Sequence, residues 1–294
     1  MECEILFLGF GPFTHAFAKK LIAKGHKVVA VSKSPFASRA RDEFPPDLFN
    51  TISWEEVVSL EVNSISTYIG WRQSPHCQPL GTELINWVKS TNFKTEKIHH
   101  LSSASVYTGN QEFFSEFDYN SATNNPLLNS KQALEKLVVD LCREKESKFV
   151  NYRISNIYGS GLTRGFINES INNLRNGVPV KIYKNFDLIR DYLLLDDLIA
   201  ALIDLRLHGS PHKTLNISTG YGVATSQIIT HLKNLGVDDL KFLEIEVPEK
   251  TMPRSVLSCK KLEEIISWKP QGIGESLNRL MQESFQVREG LYYF

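Results

Sequence analysis

At 294 residues and 42% apolar content the chain exceeds one typical domain and can bury a large core. Its 33 Lys and Arg balance 33 Asp and Glu, so no global field steers it toward nucleic acid or an anionic membrane. The four cysteines, Cys3, Cys77, Cys142 and Cys259, show no C-x-x-C and no zinc-ligand spacing, and no apolar run approaches the roughly 18 residues that span a bilayer, which together predict free thiols, no metal site and a cytoplasmic protein.

Residues 5–8 form an apolar strand, Gly9-Phe10-Gly11 a turn, residues 12–24 a helix, and Val28–Val31 a second apolar strand. The helix has Pro12 at its start and Gly25 just past its end, with Phe13, Ala16, Phe17 and Leu21 on one face. In such a βαβ unit Gly9 allows the sharp turn, Gly11 lets the backbone approach a pyrophosphate, and the helix amides point at that anion. Thr14 stands where G-x-G-x-x-G has its third glycine. The second strand runs into Ser32, Lys33 and Ser34 where a carboxylate selective for NAD usually sits. A lysine and two hydroxyls suit a 2′-phosphate, so the expected cofactor is NADP ahead of NAD. Arg39 and Arg41 either serve the same corner or are solvated charges on a loop.

Residues 47–52 read as a third strand, 54–60 as a short helix, 65–69 as a fourth strand and 81–89 as a helix. The loop 71–77, with Arg72 and His76, follows a strand's carboxyl end, where open α/β sheets bind ligands. Residues 97–101 form a fifth strand containing His99 and His100, read as packed or edge histidines, and it leads into Ser102-Ser103-Ala104-Ser105-Val106-Tyr107. Pro126 opens an amphipathic helix carrying Ser130, Lys131, Leu134, Leu137, Val138 and Leu141.

The segment S-S-A-S-V-Y followed by N-P-x-x-x-S-K resembles the extended short-chain dehydrogenase/reductase superfamily, which includes nucleotide-sugar epimerases, dehydratases and ketoreductases. Further motifs are collinear with it: Arg153 to Gly161 is similar to R-x-x-N-x-Y-G-x-G, Arg190 to Leu198 to R-D-[FYW]-x-x-V-x-D, Leu215 to Gly220 to N-[IV]-[GS]-x-G, and the stretch ending at Pro270 to the terminal K…W-x-P. The resemblance implies an α/β fold with a Rossmann-like doubly wound parallel sheet over residues 1–160 and a smaller, interleaved C-terminal substrate part over residues 161–294. It assigns Ser103 to orienting the reacting oxygen, Lys131 to the nicotinamide ribose, and Asn156, Arg190 and Arg254 to the substrate. An ion pair with Asp196 or Asp197 is the alternative for Arg190.

The superfamily's catalytic tyrosine falls at Leu127, whose aliphatic side chain transfers no proton. Three readings stay open: Ser105, Tyr107 or the 71–77 loop replaces the tyrosine; the chemistry differs; or the fold binds nucleotide without turnover. Tyr107 reads first as a packing residue. The resulting expectation is an NAD(P)-dependent epimerase, dehydratase or reductase acting on a nucleotide sugar or similar phosphorylated polar substrate, compatible with a homodimer. The alternative is an NADP(H)-binding protein that acts as a redox sensor or scaffold.

Overall fold

The computed structural model describes residues 2–32, 35–53, 62–70, 93–118, 126–235, 241–249 and 251–289. Lys33, Ser34, the 71–77 loop and the helices read at 54–60 and 81–89 lie outside the described residues. The chain divides into two compact units: Met1–Val106, Tyr119–Ile154 and Leu207–Leu215 make one, and Tyr107–Asp118, Ser155–Arg206 and Asn216–Phe294 the other.

In the first unit the opening βαβ appears as β1 (Glu2–Leu8), α1 (Pro12–Ile22) and β2 (Val28–Val31). Then follow α2 (Pro35–Glu43), β3 (Phe49–Ile52), β4 (Val62–Gly70), β5 (Phe93–Ser103), α3 (Pro126–Glu144) and β6 (Lys148–Ile154). The sheet runs β11-β6-β5-β4-β1-β2-β3, where β11 is Thr214–Ile217. Its strands pair in parallel, as in Ile5↔Val28, Tyr68↔His99 and His99↔Val150, so the expected doubly wound α/β sheet is what forms.

Each face of the sheet has its own filling. On one, Leu6, Leu8, Val31, Ile69 and Ile98 pack with Leu134, Val138 and Leu141 of α3. Burying each such side chain stabilises by about 1.5–3 kcal/mol. On the other face Phe7, Tyr68 and His99 lie side by side across β1, β4 and β5, with Phe17 of α1 edge-on to Tyr68 at 5.0 Å and the His99 ring stacked on Tyr68 at 4.4 Å. His99 and His100 are buried, which settles their reading as packed histidines.

Two expectations require correction. Arg39 and Arg41 are on α2, not a loop: its few apolar residues hid a helix whose Ala37 and Ala40 are buried, and Arg41 donates from Nη2 to the Thr51 carbonyl at 2.5 Å. The strand read at 97–101 extends from Phe93 to Ser103, because its polar residues lie on a paired strand beside β4.

The second unit holds β7 (Asn156–Tyr158), α4 (Phe166–Arg175), β8 (Val180–Tyr183), β9 (Ile189–Arg190), β10 (Tyr192–Leu194), α5 (Leu195–His208), β12 (Val223–Ala224), α6 (Thr225–Asn234), β13 (Phe242–Ile245), β14 (Arg254–Ser255), α7 (Lys260–Glu263) and α8 (Ile273–Glu289). Its core joins Tyr158, Ile171, Tyr192, Ile228, Leu277 and Leu280. Among the described residues no helix is long and apolar enough to cross a membrane.

Candidate functional site

The turn after β1 opens the site. Gly9 has φ 91°, a conformation glycine adopts freely, and a Cβ placed on Gly11 would meet nothing within 4 Å. Among the described residues packing therefore does not require glycine at position 11, and a side chain there would project away from them. Pro12 has no N–H, so the first-turn amides without a helical acceptor are those of Phe13 and Thr14, at the positive end of the helix dipole. Thr14, in place of the third glycine, closes the turn locally: its Oγ1 accepts the Gly11 amide at 2.7 Å and donates to the Gly11 carbonyl at 3.2 Å. These features fit a pyrophosphate. Ser32 lies just past β2, half-buried, with its amide on the Ile52 carbonyl at 3.4 Å.

At the carboxyl end of β5 the chain makes one 3-10 turn, Ala104–Val106, and α3 is tied to the turn by two polar contacts and to β5 by a third. Lys131 Nζ donates to Ser105 Oγ at 2.5 Å, Gln132 Nε2 to the Val106 carbonyl at 3.0 Å, and Ser102 Oγ to Glu135 Oε1 at 2.5 Å. Ser105 in turn donates from Oγ to Ser103 Oγ at 3.1 Å. Ser103 and Lys131 are thus brought together indirectly, through a residue that the motif comparison named only as a substitute. Burial pushes the Lys131 ammonium below the ordinary lysine value.

A buried ion pair supports this corner. Arg153 on β6 reaches Glu135 with Nε at 3.1 Å and Nη2 at 2.8 Å, the two side chains being 6% and 8% exposed. Burial alone would raise Glu135, but Arg153, with Asn151 and Ser102, holds its carboxyl below the usual range. His100 Nδ1 lies 2.9 Å from Asn151 Oδ1 beside the same pair. Sequence reading missed Glu135 and Arg153 as partners. The available signal was an acid one turn after Lys131 among Leu134, Val138 and Leu141, on the face that packs against the sheet.

Tyr107 belongs to the second unit and is a packing residue: it is buried, stacked on Phe114 at 5.3 Å, and donates to Asn216 Oδ1 at 2.6 Å. Leu127 lies on α3 one turn before Lys131.

The remaining candidates, Asn156, Arg190 and Arg254, are all in the second unit. Asn156 begins β7 and donates from Nδ2 to the Asp191 carbonyl at 3.1 Å. Arg190 and Arg254 lie on the adjacent parallel strands β9 and β14. Arg190 donates to the carbonyls of Ile189, Met252 and Pro253 at 2.8, 2.6 and 3.3 Å, and burial lowers its pKa. The alternative pairing with Asp196 or Asp197 is not what forms: Asp196 meets Arg279 at 3.5 Å, and Asp197 accepts the Gln271 amide at 2.8 Å. Arg254 donates from Nε to the Glu112 carbonyl at 2.9 Å, its guanidinium 5.7 Å from the Phe113 ring centre.

Residues 79–218 match the NAD dependent epimerase/dehydratase family. CDP-abequose synthase of Salmonella typhimurium is 25% identical over 215 residues, 68% of this chain and 72% of that protein. The fold is that of a Bacillus cereus UDP-glucuronic acid 4-epimerase mutant in complex with a UDP-4-deoxy-4-fluoro-glucuronic acid and NAD, at TM-score 0.79 and 16% identity, over 98% of this chain and 100% of that one. UDP-glucose 4-epimerase from Thermotoga maritima, with UDP-glucose, gives TM-score 0.78 at 21% identity over 98% and 100%. The family match over residues 79–218 is in line with the resemblance drawn from the motifs, and the two solved structures share the fold.

Proposed function

With its central segment matched to the NAD dependent epimerase/dehydratase family, we propose that the protein is a nicotinamide-dinucleotide-dependent enzyme acting on a nucleotide sugar at a carbon that interconverts between alcohol and ketone. The observation that carries this reading is the Lys131, Ser105 and Ser103 chain at the carboxyl end of β5, in the same unit as the open glycine turn. A bound nicotinamide supplies the transfer of hydrogen and an electron pair at carbon. The turn at Gly9 and Gly11 and the amides of Phe13 and Thr14 hold the pyrophosphate. Ser103 orients the reacting oxygen. Asn156, Arg190 and Arg254 serve the substrate's phosphates, an assignment supported by the fit of a guanidinium fork to a diphosphate.

Within this reading the cofactor is NADP ahead of NAD, supported by the sequence Ser32-Lys33-Ser34, which has no carboxylate where NAD-selective chains usually carry one. The B. cereus structure carries NAD. Ser32→Asp is therefore expected to weaken NADPH by about tenfold or more, by repelling the 2′-phosphate, while leaving NADH equal or tighter. Calorimetric titration of both cofactors checks this, and a wild type that prefers NADH removes the NADP assignment. The enzyme reading itself is tested by NADPH or NADH consumption with a panel of nucleotide 4-keto sugars. Tight cofactor binding without turnover of any of them favours the sensor or scaffold alternative, which Leu127 supports.

A further inference from the structure

Position 127 is leucine, so the group that exchanges a proton with the substrate oxygen has to be found elsewhere in this corner. The described structure offers one continuous donor chain there. Lys131 Nζ donates to Ser105 Oγ at 2.5 Å, and Ser105 Oγ donates to Ser103 Oγ at 3.1 Å. The Ser105 amide also approaches Ser103 Oγ, at 3.3 Å. Ser103 Oγ therefore accepts from Ser105 on one side and keeps its own hydrogen to give away. The direction is consistent along the chain, since a lysine ammonium can only donate. Ser105 is exposed and Ser103 partly so, which leaves the end of the chain open to a bound molecule.

We propose that Lys131, Ser105 and Ser103 form a proton relay that replaces the missing tyrosine, with Ser103 as the donor to the substrate oxygen, Ser105 as the link and Lys131 as the proton source. The proposal rests on the enzyme reading above and names the acid of that same site. In the reducing direction the carbonyl carbon gains its hydrogen and electron pair from a reduced nicotinamide dinucleotide. The carbonyl oxygen takes the Ser103 hydroxyl proton, Ser103 is reprotonated by Ser105, and Ser105 by the ammonium. Lys131 is left as a neutral amine and recovers its proton from solvent. The oxidising direction runs the same transfers backwards. A serine hydroxyl alone is a weak acid, and the adjoining ammonium makes the transfer feasible by replacing the proton that the serines pass on. Burial of Lys131 moves it in the useful direction, since it lowers the cost of giving up the proton. The nearby charges do not interrupt the chain: Glu135, one turn on, is committed to Arg153 at 2.8 Å.

The test is Ser105→Ala, with Ser105→Thr as the variant that keeps the hydroxyl. The first readout is the titration of Lys131 in the cofactor-free protein, followed by 13C NMR of labelled lysine and assigned with Lys131→Arg. Loss of the acceptor removes stabilisation of the ammonium, so Lys131 in Ser105→Ala is expected to titrate at lower pH than in wild type, and Ser105→Thr to restore it. The second is turnover of dTDP-4-keto-6-deoxyglucose, expected to fall about 100-fold in Ser105→Ala with NADPH binding unchanged. Cofactor binding with a Lys131 titration untouched by Ser105→Ala, or with turnover untouched, overturns the relay and leaves the enzyme reading standing. A wild type that binds neither NADPH nor NADH overturns the enzyme reading, and with it the relay that rests on it.

Discussion

Arg153→Met is expected to cost the fold about 3–5 kcal/mol, the usual cost of breaking a buried pair from one side. Both partners are nearly sealed from water, and Arg153 covers both Glu135 oxygens. With the guanidinium gone, Ser102 and Asn151 still donate to the carboxylate, but neither neutralises it. The buried charge is then uncompensated, and it either takes up a proton or opens the contact between α3 and β6. Replacing both members, as Glu135→Leu with Arg153→Met, should recover much of the loss, because an apolar pair carries no desolvation cost. Urea denaturation at neutral pH checks both variants. A loss below about 1 kcal/mol in the single variant would mean that the pair behaves like a surface contact.

The second large effect is a loss of stability in mild acid, centred on His100. This ring is fully buried, and desolvation pulls its pKa from 6.5 to about 4, against the Glu135 charge and the Asn151 hydrogen bond and with the help of Arg153. Unfolding releases a histidine that protonates near pH 6.5, so between about pH 6.5 and 4 the unfolded state binds more protons than the folded one. The stability from keeping His100 neutral is complete above that window and declines as pH falls through it, by about 3 kcal/mol in all. Glu135 adds a separate loss at lower pH, since its carboxyl is depressed and must be protonated for its share to vanish. Melting temperature measured from pH 7.5 to 4.5 should fall in wild type. In His100→Gln, whose amide keeps a donor toward Asn151, the curve should be flatter. A flat wild-type profile would show that His100 is not held neutral.

The sequence reveals different parts of this molecule to different degrees, and the reasons are physical. Val28–Val31 matches its predicted bounds because it is a short apolar strand bounded by turn residues. That strand, with the glycine turn, is legible from local pattern alone, and on it rests the proposed cofactor corner. Pro35–Glu43 was hidden because a helix that buries Ala37 and Ala40 under charged neighbours carries little apolar periodicity. Ser103 and Lys131 could be placed by motif, but the contact that joins them runs through Ser105, 26 residues before Lys131, and depends on how the 3-10 turn meets α3. Glu135 and Arg153 were harder still. They come from a helix and a strand, and nothing in either segment alone shows that two ionised side chains meet in the interior.

The path of the chain between its two units has a consequence for synthesis. The first unit is drawn from three separate stretches, and β11, the strand beside β6, begins at Thr214. On the ribosome, everything through Ile154 is made before that strand, and β6 must wait with one edge unpaired while Ser155–Arg206 is added. Pairing across such a sequence gap closes a long loop and is correspondingly slow. A nascent chain halted before Thr214 therefore displays a strand edge whose amides and carbonyls have no partner, the feature on which holding chaperones and stray strands of other chains both act.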